Sequence, residues 1–213
     1  MKKINFLGDS ITEGAGASVR ENMYTSLVAK YFNAEECNYG IGGTRIAKQV
    51  KRTHNPDDDV FMCRAVLLEA DADFTFVFGG TNDYGHGDAR MGNFEDRNPY
   101  TFYGAMHELV SYLVDKISKE RLCFILPIPR YNQDDPYADG KDEPGMPLSG
   151  YIQAEKEVLD YYGVEYIDLS DVFYEPKSSG VDDLFVDGLH PNDKGHQRIA
   201  ENLIKYLLGK NIL

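Results

Sequence analysis

The sequence has no tryptophan and only three cysteines, Cys37, Cys63 and Cys123, with no Cys-x-x-Cys spacing. An odd, scattered set of thiols excludes a disulfide framework and a zinc ribbon, and all three read as buried small hydrophobes. No apolar run approaches the ~18 residues that a spanning helix needs, so no membrane span is expected. The apolar stretch after Lys2 and Lys3 stops at Leu7, and Gly8-Asp9-Ser10 follows, so a secretory h-region is lacking. With reduced-type cysteines this predicts a cytoplasmic location. Positive charge is also scarce: 22 Lys and Arg stand against 35 Asp and Glu, a net charge of −13. Such a surface repels phosphate backbones, so nucleic acid is not an expected partner. No Walker A or His-Glu-x-x-His motif occurs. The acidic runs 57–59, 134–135 and 182–183 lack EF-hand spacing and read as solvated faces, so neither a metal nor another cofactor is expected. The missing Gly-x-Ser-x-Gly elbow argues against the α/β-hydrolase fold, though not against a serine mechanism.

What is present is an ordinary globular mixture over 213 residues, 42% hydrophobic and 27% charged. That suits a single domain, 1–213, with a full core. Strand-like and helix-like segments alternate, which favours an α/β fold with a parallel sheet. Strands are expected at 4–7, 36–39, 74–78, 122–128 and 164–169. The run Phe-Thr-Phe-Val-Phe at 74–78 is the clearest, continuous as for a strand buried on both faces. Asn22 is the expected cap of a first helix, Asn98 with Pro99 the start of a second, and Asn192 the cap of the last. Gly163 is placed to close the helix through Tyr151 and Tyr162. Two stretches break the alternation: 46–73, expected to hold one or two helices, and 129–147, rich in Asp, Pro and Gly, which reads as a long surface loop.

Polar, glycine-rich clusters follow these strands. They are Gly8-Asp9-Ser10, then Asn38-Tyr39-Gly40-Ile41-Gly42-Gly43-Thr44, then Gly79-Gly80-Thr81-Asn82-Asp83, and near the end Asp187-Gly188-Leu189-His190. Ligands bind at the carboxyl ends of strands in open parallel sheets, so the clusters should meet in one cleft. Their contents suit acyl transfer. A serine hydroxyl such as that of Ser10 is a weak nucleophile until a base takes its proton. His190 can be that base if Asp187, three residues earlier, holds Nδ1–H and leaves Nε2 facing Ser10. Donors for the developing oxyanion are available from the Asn82 amide and from the backbone N–H groups of Gly43 and Ser10.

These clusters resemble the four sequence blocks of the SGNH (GDSL-like) hydrolases, in the family's order over residues 8–191. The resemblance implies a flavodoxin-like three-layer α/β/α sandwich with five parallel strands in the order 2-1-3-4-5. It also implies Ser10 as nucleophile, Asp187 and His190 as acid and base, and Ser10, Gly43 and Asn82 as oxyanion hole. The expected activity is hydrolysis of carboxylic esters, small acyl groups such as acetyl among them, through an acyl-enzyme. The expected partner is a small-molecule ester. Gly42 competes with Gly43 for the oxyanion role, and the run Tyr84-Gly85-His86-Gly87 departs from the family pattern. Asp9, Gly42, Tyr84, His86 and Tyr131 are candidates for lining the substrate. His86 fits a cleft wall or a surface loop equally, and His107 reads as half-exposed on a helix. Two rival functions remain: an acyltransferase with the same triad, and a nucleotide or flavin binder suggested by Gly14-Ala15-Gly16. The latter lacks the third glycine of the dinucleotide fingerprint, Val19 standing there.

Overall fold

The computed structural model describes residues 1–51, 60–177 and 179–210; His54 and the acidic run 57–59 lie outside them. Five parallel strands, β1 (Lys2–Gly8), β2 (Ala34–Gly40), β3 (Phe74–Phe78), β4 (Leu122–Ile125) and β5 (Glu165–Ile167), form one sheet in the order β2-β1-β3-β4-β5. The helices are α1 (Ser10–Glu13), α2 (Tyr24–Phe32), α3 (Phe61–Ala65), α4 (Thr81–Gly85), α5 (Phe102–Ile117), α6 (Leu148–Tyr162) and α7 (Asp193–Lys210). The expected α/β/α sandwich and strand order are therefore what the chain adopts.

The pleat explains the two cores. Side chains alternate along a strand, so Ile4, Phe6, Phe74, Phe76, Phe78, Cys123 and Ile125 face one side and pack on α2 and α7. Leu7, Val77, Leu122 and Phe124 face the other and pack on α3, α5 and α6. Burying each β3 phenylalanine is worth roughly 1.5–3 kcal/mol, enough to hold register. A one-residue slip would exchange the two faces. Every loop after a β-strand leaves from the same edge of this sheet, which is what brings distant segments to one place.

Several local expectations are corrected. β4 stops at Ile125 because Pro127, with no N–H, cannot continue the ladder. α5 begins at Phe102, capped by Thr101, rather than at Pro99. Pairing of Phe102 N–H with the Arg90 carbonyl sets that start, while Asn98 Oδ1 caps only a local turn at Tyr100. Asn22 does not cap α2, since its amide donates to Asp193 at 2.9 Å. Asn192 does cap α7, accepting from Lys194 and Gly195 N–H, and Gly163 closes α6 in the left-handed conformation. Cys63 is exposed and Cys37 only partly buried, leaving Cys123 as the one fully buried thiol. His107 is buried, not half-exposed, because the 92–97 segment folds over it and its Nε2 meets the Phe94 carbonyl at 2.9 Å. Segment 129–147 is more than a surface loop. It carries a 3-10 turn at Ala138–Gly140 and the fully buried Arg130, paired with Asp139 at 2.5 Å. Among the described residues no helix is long and apolar enough to cross a membrane.

Candidate active site

β1 ends at Gly8, and the chain turns at once into the short helix α1, with Ser10 as its first residue. Asp9 drives the turn: its carboxylate accepts the Ile11 N–H at 3.0 Å, the N-cap interaction expected of aspartate. Ser10 Oγ lies 2.9 Å from His190 Nε2, and His190 Nδ1 lies 2.6 Å from Asp187 Oδ2. The other Asp187 oxygen accepts the N–H groups of Leu189 and His190, at 2.9 and 2.7 Å. The carboxylate thus shapes the loop and orients the ring at the same time. Partial burial opposes its charge, yet those N–H groups and the imidazole outweigh burial and hold it below the usual carboxylate range.

The turn after β2 lies against Ser10. A side chain at Gly42 would stand 3.5 Å from Ser10 Cβ, in ordinary contact with the nucleophile, and 2.8 Å from a Glu13 carboxylate oxygen, which would have to shift. Gly42 N–H donates to that Glu13 carboxylate at 2.9 Å. Gly43, at φ +76°, follows with no acceptor for its N–H among the described residues. Of the two glycines, Gly43 is thus the one whose N–H is not already engaged by a neighbouring side chain. Asn82, 5% exposed in the first turn of α4, donates to the Thr44 carbonyl at 3.0 Å. The structure thus joins Asn82 to the second cluster by a direct hydrogen bond. Its neighbour Asp83 accepts the Ile46 and Ala47 N–H groups at 2.9 Å each, pinning the same turn.

The substrate-lining candidates divide. Gly42 lies beside Ser10, close enough that an added Cβ would meet the Ser10 side chain at 3.5 Å, and Tyr131 is half-buried with its N–H on the Gly188 carbonyl at 3.0 Å, beside the His190 loop. Asp9 is 1% exposed because its carboxylate turns inward to cap α1, so it lines no cleft. Tyr84 is also 1% exposed, its ring against Arg130 and Tyr151 and its hydroxyl on the Asn132 and Asp135 carbonyls. His86 is half-buried between Arg45 and Asn82. The Gly14-Ala15-Gly16 run serves chain geometry: Gly14 ends α1 in the left-handed conformation, and a side chain on Gly16 would strike the Pro191 carbonyl. Asp182 caps the Leu184 and Phe185 N–H groups, and Asp183 pairs with Lys194 at 2.6 Å.

Sequence reading missed three residues. Buried Arg64 donates to the Gly8 and Tyr39 carbonyls and to Thr44 Oγ1, tying the ends of β1 and β2 to the second cluster. Its signal was a lone arginine inside the apolar run 60–68. Glu13 had no signal of its own, since its partner is a backbone N–H brought up by the fold. Buried His196 bridges Tyr24 N–H and the Ala15 carbonyl, fastening α7 to the Ser10 turn. Burial lowers the pKa of His196, against the opposing pull of the Ala15 carbonyl and Asp193. A groove of about 650 Å³ between α2 and α7, lined by Leu27, Tyr31 and Ile204, holds none of the site residues.

Three buried acids, Asp9, Asp83 and Glu155, lie close enough to influence one another. Burial raises Asp9 to about 6, against the pull of Ile11 N–H, His190 and Arg64. Burial likewise raises Asp83 to about 6 in spite of its two N–H partners. Glu155 on α6 stands well above the usual carboxylate value, through burial first and then the nearby Asp83 and Asp9.

The GDSL-like lipase/acylhydrolase family matches residues 6–198 of the chain. Among solved structures, a protein from Lactobacillus plantarum is 29% identical, with 98% of this chain and 97% of that one covered and a TM-score of 0.78. A carbohydrate acetylesterase from Sinorhizobium meliloti shares the fold at 16% identity, covering 98% and 99%, with a TM-score of 0.68. A lipase/acylhydrolase from Enterococcus faecalis does so at 22% identity, covering 99% and 97%, with a TM-score of 0.65. No curated protein sequence matches the chain.

Proposed function

The chain belongs to the GDSL-like lipase/acylhydrolase family, and is a hydrolase of the esterase or lipase type, and we propose that it cleaves small carboxylic esters through an acyl-enzyme on Ser10. One domain, 1–213, carries the reaction. The observation that carries this reading is the hydrogen-bonded line Ser10 Oγ, His190 Nε2, His190 Nδ1, Asp187 Oδ2, with separations of 2.9 and 2.6 Å.

The chemistry follows from which atom holds the proton. Asp187, ionised, accepts a hydrogen bond from the Nδ1–H of His190, which keeps the ring proton there and leaves Nε2 with a lone pair toward Ser10. As Ser10 Oγ bonds to the ester carbonyl carbon, its proton passes to Nε2, and the carbonyl π pair moves onto oxygen. The N–H groups of Ser10 and Gly43 and the free amide N–H of Asn82 receive that oxyanion. Collapse expels the alkoxide, which takes the proton from Nε2 and departs as alcohol. Water then repeats the sequence on the acyl-enzyme, releasing the carboxylic acid and restoring Ser10. Gly43 is favoured over Gly42 in the oxyanion role because the Gly42 N–H donates to the Glu13 carboxylate.

A panel of p-nitrophenyl esters and acetylated saccharides, run on wild type and Ser10→Ala, tests this. Acetyl esters head the panel because one structural neighbour is a carbohydrate acetylesterase. A fluorophosphonate should add one label, on the peptide containing Ser10. Hydrolysis persisting in Ser10→Ala, or a label on another serine, overturns the assignment.

A further inference from the structure

Asn82 can stabilise an oxyanion only with its NH2 end, so something must tell its two amide ends apart. Four side-chain and backbone groups do this in a closed ring. Asn82 Nδ2 donates to the Thr44 carbonyl at 3.0 Å, and Asn82 Oδ1 lies 3.2 Å from His86 Nε2. His86 Nδ1 lies 2.8 Å from Arg45 Nη1, and Arg45 directly follows Thr44. A guanidinium has donors and no acceptor, so His86 Nδ1 must accept. The ring proton then sits on Nε2 and is donated to Asn82 Oδ1. With Oδ1 held by His86 and one side-chain N–H held by Thr44, the second side-chain N–H of Asn82 is left without an acceptor among the described residues.

We propose that His86 is a positioning residue for the oxyanion hole: it keeps the Asn82 amide in the donor orientation, and Arg45 fixes the tautomer that lets it do so. The arrangement mirrors the one on the other side of Ser10, where Asp187 fixes the tautomer of His190. It also gives the run Tyr84-Gly85-His86-Gly87 a purpose. α4 ends at Gly85, and His86, four residues after Asn82, is one helical turn beyond it and on the same face. Protonation of His86 would set two donors against each other at Arg45, so the neutral ring is the one that fits.

The proposal rests on the reading of Asn82 as oxyanion donor, and a double-mutant cycle separates the two. Steady-state kinetics are measured on wild type, Asn82→Ala, His86→Leu, His86→Gln and Asn82→Ala/His86→Leu, with circular dichroism confirming each fold. His86→Met stands in should Leu not be accommodated. His86→Leu should lower kcat about 10- to 100-fold with KM nearly unchanged, the scale of a misplaced catalytic group. His86→Gln should recover most of that loss, because a glutamine amide can also accept from Arg45 and donate to Asn82. In the Asn82→Ala background, His86→Leu should change kcat by no more than about twofold. An equal loss in both backgrounds, an effect on KM alone, or a glutamine variant as slow as leucine overturns the proposal. Unchanged kcat in Asn82→Ala itself would instead overturn the reading of Asn82 on which it stands.

Discussion

Asp9 should make the protein less stable as pH rises. Its carboxyl is 1% exposed, and burial raises it from the 3.8 of a free aspartate to about 6. A carboxyl that holds its proton more tightly when folded contributes stability below the unfolded value, and that contribution is lost as pH climbs through the folded value. The difference corresponds to about 3 kcal/mol between pH 3 and pH 8, of which about 2 kcal/mol is present at pH 4.5. Asp9→Asn removes the ionisation while keeping an oxygen for the Ile11 N–H, so the cap survives. At pH 8 the variant should exceed wild type by up to about 3 kcal/mol, which moves the urea midpoint upward by about 1 M in a chain of this size. At pH 4.5 the gap should shrink to about a third of that. The assay is urea unfolding of both proteins at the two pH values, followed by circular dichroism and by tyrosine fluorescence. A gap of the same size at both pH values, or a variant weaker than wild type at pH 8, would show that Asp9 does not carry a desolvated charge.

Three further outcomes follow from the site. Asp187→Asn should fold, since its oxygen can still serve the Leu189 and His190 N–H groups, but its NH2 would face Nδ1 and impose the wrong tautomer. kcat should drop by about 10³–10⁴, and unchanged turnover refutes the role. Asn82→Ala should lose about 10²–10³ in kcat and little in KM, and Asn82→Asp more, because a carboxylate repels the developing anion. Steady-state kinetics on both variants check this, and full activity in Asn82→Asp would reduce Asn82 to a link between two turns. Arg64→Met keeps the apolar stem but strands the Gly8 and Tyr39 carbonyls, which should cost about 2–5 kcal/mol. Scanning calorimetry should show a Tm lower by about 10 °C, and an unshifted Tm would mean that these carbonyls find other donors.

The sequence by itself determined whatever depends on near neighbours along the chain. Phe74–Phe78 read correctly to the residue because a strand buried on both faces must be apolar throughout, and the pleat then assigns each side chain to a core. Gly163 and Asn192 were legible because a left-handed cap and a side-chain cap are local devices. The strand order followed from the motif resemblance, and Ser10, Asp187 and His190 stood out because each sits in a glycine-bearing turn of distinctive composition.

Only the tertiary structure decided where polar groups find partners far away in sequence. Asn22 looked like a cap until Asp193 claimed its amide, and Pro99 like a helix start until Arg90 set the first turn at Phe102. His107 and Tyr84 are buried because distant segments fold over them, and Asp9 points inward although its neighbour Ser10 does not. The partners of Arg64 and Glu13, and the linkage of Arg45, His86 and Asn82 into one ring, were invisible for the same reason. Their acceptors and donors include backbone groups and side chains on other strand ends. A motif records which side chains are present, but the direction of a hydrogen bond, and with it the tautomer of a histidine or the orientation of an amide, exists only once the sheet has brought both partners within about 3 Å.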